Sequence, residues 1–104
     1  MGLGGKALLA LVVFSTLSFF VADWLLLHEH EAAHAAVCRI VGGNATVRLW
    51  AFRGETSCAL AGGVPESYVL SNSFIEAVGY QNQAILLFLF LQSTLLGAVL
   101  IVLR

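Results

Sequence analysis

Two long apolar runs, separated by a more polar middle segment, set the pattern of this chain. The first run covers residues 7–27 and the second covers residues 84–103. Each has the roughly 20 apolar residues that a helix needs to cross the hydrocarbon core of a bilayer. The first helix is predicted to continue to residue 41, because no Gly or Pro occurs in residues 28–41 and the first stop signal is Gly42-Gly43. The pattern therefore predicts helices over 7–41 and 84–103.

The polar middle segment contains two short stretches that are typical of strands. Apolar and polar residues alternate in NATVRLWAF, and TSCALA follows after RGE at 53–55. We expect strands around 47–52 and 56–61, connected tightly by RGE, so that 45–61 forms a β-hairpin.

A third, shorter helix is predicted to begin after the hairpin, at Pro65 and Glu66. Proline is favoured at the first helical position and an acid in the first turn. The sequence SNS at 71–73 interrupts this helix or restarts it at Ser73, with Glu76 as its partner in a capping box.

The composition assigns the chain to the membrane class. Hydrophobic residues make up 60% of the 104 positions and charged residues only 11%, with a mean hydropathy of +0.93. The net charge of −1 provides no basic surface for nucleic acid. We expect an integral, multi-pass membrane protein with one domain over 1–104, whose surroundings are the lipid bilayer. A cleaved signal peptide is the alternative for the first run, which is long for that role.

The candidate chemistry lies at the end of the first run, in HEHEAAH at 28–34. Within it, His30-Glu31-Ala32-Ala33-His34 is an HExxH sequence. On a helix, His30 and His34 share one face and can bind a single Zn²⁺, while Glu31 can act on a water as general base. The alternative is a helix end at which these polar side chains meet lipid headgroups and water. A di-metal site built on Glu31-x-x-His34 would need a second copy of the chain, which leaves a homo-oligomer open.

Three other residues have more than one interpretation. Asp23, the one acid in the first run, is a second-shell partner of the metal site or a helix-packing residue. Cys38 and Cys58 are ordinary buried thiols, or they form one disulfide, or Cys58 is a metal ligand.

The stretch HEAAHAAVCRIVGGNATVRLWAFRGETSCALAGG, about a third of the chain, resembles the first core segment of the site-2-protease family of intramembrane zinc metalloproteases. In that family an HExxH helix runs through small and apolar residues to a glycine, and a short strand pair and a Gly-Gly follow. The resemblance implies that His30 and His34 bind zinc and that Glu31 activates water. It also implies that the hairpin lies beside the cleft and that the substrate is a membrane protein.

The chain departs from the family at the third metal ligand. That ligand is an aspartate in a later membrane helix, within an LDG-type motif, and no Asp follows Asp23 here. Glu76, Cys58 and Glu55 are the substitutes that this chain offers.

Two functional hypotheses follow from the sequence. The first is a zinc metalloprotease-like membrane protein that is incomplete or inactive unless one of these residues, or another chain, completes the site. The alternative is a small non-catalytic subunit that stabilises a larger membrane complex through its partner subunits.

Overall fold

The computed structural model describes residues 2–103 and has four elements. Helix α1 covers Leu3–Ile40, strand β1 Asn44–Leu49, strand β2 Gly54–Ala59 and helix α2 Glu66–Leu103. The strands pair in antiparallel fashion with Asn44 opposite Ala59. Two long apolar helices with a small antiparallel sheet between them confirm the predicted order of elements.

Helix α1 ends where the two glycines predict. Gly42 has a φ of 87°, and its N–H donates to the carbonyl of Arg39 at 3.1 Å. The N–H of Gly43 donates to the carbonyl of Cys38 at 2.9 Å. This pair of bonds is a Schellman motif, in which a glycine takes the left-handed conformation and satisfies the last helical carbonyls.

The hairpin lies earlier in the chain than predicted. Its connection is 50–53 instead of 53–55, and the N–H of Trp50 donates to the carbonyl of Arg53 at 2.7 Å. The predicted connection was wrong because Gly54 and Glu55 belong to the ladder, opposite Leu49 and Arg48.

Helix α2 begins 18 residues before its apolar run and is not interrupted, so the predicted break at 71–73 was wrong. The hydroxyl of Ser73 donates to the carbonyl of Val69 at 3.0 Å, and the Asn72 side chain bonds a residue of α1. Polar residues with such partners do not need to end a helix. Glu76 therefore lies inside the helix, and its predicted role in a capping box was also wrong.

The described chain forms two compact units. Residues 2–23 and 83–103 make up the first, in which the rings of Phe19 and Phe90 lie 4.9 Å apart. In the same unit the backbone at Gly97 approaches the side chain of Leu11 so closely that a Cβ would lie 2.8 Å from it.

Residues 24–82 form the second unit, which contains the HExxH sequence and the hairpin. Its core is a single stripe of α1: among residues 2–103, only Glu31, Ala35 and Cys38 are buried. Their spacing of four and three residues places them on one helical face. In β2 the half-buried positions alternate with exposed ones, and they are Gly54, Thr56 and Cys58.

Candidate metal centre

His30 and His34 lie one above the other on α1, as the HExxH spacing predicts. Their Nε2 atoms are 3.3 Å apart, and the ring planes are nearly perpendicular at 86°. Two imidazole nitrogens therefore point at one position from successive turns of one helix.

Glu76 of α2 brings a carboxylate to the same position. Its Oε1 lies 2.7 Å from Nε2 of His34 and 3.1 Å from Nε2 of His30. All three ligand atoms lie within 4.8 Å of one another. The Glu76 side chain is 49% exposed, whereas those of His30 and His34 are only 22% and 14% exposed. The cluster therefore has one open side, next to the carboxylate.

The donor set fits zinc. Two histidines and one glutamate form one of the recurring ligand sets of catalytic zinc, which keeps a fourth position open for water or substrate. Ligand atoms in a tetrahedral zinc site lie about 3.3 Å apart, since Zn–N and Zn–O bonds are near 2.0–2.1 Å. The observed separations of 3.3, 3.1 and 2.7 Å are close to that spacing.

Asn72 orients His34, a role that the sequence analysis missed. Its Oδ1 lies 2.7 Å from Nδ1 of His34. Because an amide oxygen only accepts hydrogen bonds, Nδ1 is the donor, and Nε2 is the atom that faces Glu76 and His30. An acceptor hydrogen-bonded to the nitrogen that does not bind the metal sets the tautomer of a histidine ligand. In the sequence, Asn72 is only a polar residue within a predicted helix, and the prediction placed it in the break at 71–73.

The imidazole of His30 packs against Gly79, where the absence of a side chain leaves space for the ring. A Cβ at this position would lie 2.7 Å from Nδ1 and 2.8 Å from Cε1 of the His30 ring. Gly79 and Glu76 are three residues apart on α2, so they share a face. One face of α2 thus supplies both a carboxylate and a gap into which the imidazole fits.

Glu31 points toward the hairpin. Its side chain is buried, and the residue is only 6% exposed. The hydroxyl of Thr56 donates to Oε2 of Glu31 and lies 3.2 Å from the Glu31 backbone carbonyl oxygen. A buried carboxylate that accepts a hydrogen bond is held in one orientation.

The remaining sequence candidates lie elsewhere. Cys58 forms a disulfide with Cys38, with a Cα–Cα distance of 5.7 Å, which is one of the three alternatives that the sequence left open for this pair. No thiolate is then present at position 58 for a metal. Glu55 is exposed, on the strand face opposite that of Thr56 and Cys58.

Asp23 takes part in a contact between the two long helices. Its Oδ1 accepts a hydrogen bond from Nε2 of Gln83 at 3.3 Å. This contact corresponds to the helix-packing role, one of the two that the sequence left open for Asp23.

Comparison of the chain with protein-family models, with curated proteins and with solved structures found no match.

Proposed function

We propose that this chain is an integral membrane zinc peptidase of the site-2-protease type, with His30, His34 and Glu76 as zinc ligands and Glu31 as general base. The observation that carries this proposal is the position of the Glu76 carboxylate, which reaches Nε2 of both histidines. It supplies the third ligand that the LDG-type motif provides in the family. An HExxH sequence with a glutamate as third ligand is an arrangement used by zinc hydrolases.

The surface of the chain supports a place in the membrane. Both α1 and α2 are long and apolar enough to cross a bilayer, and none of the residues in their most apolar windows is buried. Large apolar side chains such as Phe14, Leu89 and Leu96 are more than half exposed. Water is a poor solvent for so much contiguous apolar surface, whereas the acyl chains of a bilayer cover it at little cost.

The proposed reaction is hydrolysis of a peptide bond in or next to a membrane-embedded substrate. His30, His34 and Glu76 would hold the zinc ion, which would lower the pKa of a water molecule and polarise the substrate carbonyl. Glu31 accepts one proton from that water, whose oxygen bonds to the carbonyl carbon. When the C–N bond breaks, Glu31 delivers the proton to the leaving amine, so that the products are one carboxyl and one amino terminus.

A non-catalytic subunit of a membrane complex is the second candidate function. It is favoured by the small core, since only three of residues 2–103 are buried, and partner helices would cover the remaining apolar surface. In that case His30, His34 and Glu76 hold a structural metal or only bond to one another.

Zinc content of the detergent-purified chain is the first test. We expect about one zinc per chain in the wild type. The double variant His30→Ala/His34→Ala should lose the metal, and Glu76→Gln should lower its affinity. The matched control is Glu55→Gln, which removes an exposed carboxylate of the hairpin and should leave the metal in place. Equal zinc in Glu76→Gln and the wild type would contradict Glu76 as a ligand.

Turnover separates the two candidate functions. The probe is a pool of single-span peptides that carry a fluorophore and a quencher, reconstituted in liposomes with the purified chain. A peptidase cleaves members of this pool, and Glu31→Gln abolishes the cleavage while it keeps zinc. Zinc-loaded wild type with no cleavage across the pool would favour the non-catalytic subunit.

A further inference from the structure

We infer that Thr56 is a positioning residue, which holds the Glu31 carboxylate in the orientation needed for proton transfer. This inference rests on the proposed function, because it concerns how Glu31 performs the role proposed for it. It adds a residue of the hairpin to a site whose other members all come from the two helices.

The polar contact between the hairpin and Glu31 is made by the side chain of Thr56. The Thr56 hydroxyl donates to Oε2 of Glu31 and lies 3.2 Å from the backbone carbonyl oxygen of the same residue. A donor committed to Oε2 leaves Oε1 as the carboxylate oxygen that can take a proton from water. Without this hydroxyl the side chain would regain rotamer freedom about three torsions, and its burial would lose a compensating hydrogen bond.

The backbone next to the contact packs closely on α1. A Cβ at Gly54 would lie 2.7 Å from Cγ of Glu31 and 3.1 Å from Cδ1 of Leu27. The start of β2 is therefore pressed against the turn of α1 that carries Glu31. Thr56 follows two residues later on the same face of the strand, where its hydroxyl meets the carboxylate.

The disulfide holds this strand in register against the helix. Cys58 lies two residues after Thr56 on the same strand face, and Cys38 lies seven residues after Glu31 on the same helical stripe. A slip of β2 by one residue would turn Thr56 to the opposite face. The bridge blocks that slip, so the position of Thr56 relative to Glu31 is defined by a covalent link nearby.

The test compares Thr56→Val, which replaces the hydroxyl by a methyl group of similar volume, with Thr56→Ser, which keeps the hydroxyl. The control is Thr46→Val, an exposed threonine on β1. With the peptide of the pool that the wild type cleaves, Thr56→Val should lower kcat by about 10- to 100-fold with KM unchanged. Thr56→Ser should restore most of the rate, and Thr46→Val should equal the wild type. Zinc content and the disulfide, which is checked by thiol labelling, should be the same in all four proteins.

A second measurement on the metal-free chain needs no turnover. Carboxyl labelling with a carbodiimide and an amine, read by mass spectrometry, should be slow at Glu31 in the wild type and faster in Thr56→Val. The rates at Glu29 and Glu55 should not change. Equal labelling of Glu31 in both proteins overturns the positioning role.

The outcomes separate this inference from the proposed function. If Glu31→Gln is inactive and Thr56→Val is fully active, Thr56 is not a positioning residue and the peptidase stands. A loss of activity in Thr56→Val that Thr56→Ser does not rescue also overturns the inference. If the wild type holds no zinc and cleaves nothing, the proposed function fails, and the positioning role of Thr56 in that reaction fails with it.

Discussion

His34 makes two polar contacts that together determine which of its nitrogens can bind a metal. Nδ1 donates to Oδ1 of Asn72 at 2.7 Å, and Nε2 lies 2.7 Å from Glu76. An imidazole that donates through one nitrogen offers a lone pair through the other, and the ring cannot rotate without breaking the first bond. Asn72 is therefore the residue whose loss should weaken the metal site without removing a ligand.

We predict that Asn72→Leu lowers zinc affinity by about 10- to 100-fold, the range typical for loss of a residue that hydrogen-bonds a metal ligand. Asn72→Asp keeps an acceptor for Nδ1 and should retain the affinity. Asn82→Leu, an exposed position on the same helix, is the control. Competition with a chromogenic chelator measures the affinity. If Asn72→Leu binds zinc as tightly as the wild type, Asn72 does not orient His34.

At the scale of elements, the end of α1 and strand β2 are covalently connected. The disulfide between Cys38 and Cys58 joins them across 20 positions of sequence. Gly43 packs directly on the bridge, since a Cβ there would lie 2.7 Å and 2.8 Å from the two sulfur atoms. A two-stranded hairpin alone is marginally stable in water, so this covalent link has a large share in holding it against the helix.

We predict that Cys38→Ala/Cys58→Ala lowers the stability of the 24–82 unit by about 3 kcal/mol, the value for a bridge that closes a loop of this length. Thermal unfolding in detergent measures the change, with limited proteolysis at the hairpin as the readout. Reduction of the wild type should have the same effect, whereas reductant should not alter the double variant. If the double variant resists proteolysis on heating as well as the oxidised wild type does, the bridge has no stabilising role.

The molecule as a whole exposes many large apolar side chains, and most of them lie on the two long helices. The most apolar windows of both long helices contain no buried residue. The second run carries Gln92, Ser93 and Thr94, and the Thr94 hydroxyl is the one buried side-chain oxygen without a partner among residues 2–103. The exposed apolar surface supports the proposed place in the membrane, whereas Gln92, Ser93 and Thr94 are residues of the kind that bond to neighbouring helices.

We predict that the wild type stays in the membrane pellet after alkaline carbonate extraction. Leu95→Arg, which places a charge near the middle of the second run at an exposed position, should reduce the recovered fraction, since such a residue costs about 3 kcal/mol at the centre of a span. Ser57→Arg, at an exposed hairpin position, is the matched control and should be retained. Extraction of the wild type by carbonate would contradict the membrane assignment.

The sequence by itself determined the features that depend on neighbours along the chain. The two apolar runs predict the long helices, Gly42-Gly43 predicts the end of α1, and the spacing of His30 and His34 predicts that they share a face. Each of these follows from local geometry, namely hydrophobic periodicity, backbone freedom of glycine and the pitch of a helix.

Only the tertiary structure decided which carboxylate meets the histidines, because the choice depends on contacts between residues 42 and 46 positions apart. Glu55 and Glu76 were both candidates, and helix packing brings Glu76 to Nε2 of His34. The continuity of α2 through residues 71–73 was missed for a related reason, since Asn72 bonds a residue of α1 and Ser73 bonds the preceding turn instead of ending the helix. The disulfide and the contact of Thr56 with Glu31 likewise depend on how β2 packs on α1. Local patterns predict elements, whereas the site is assembled by packing between them.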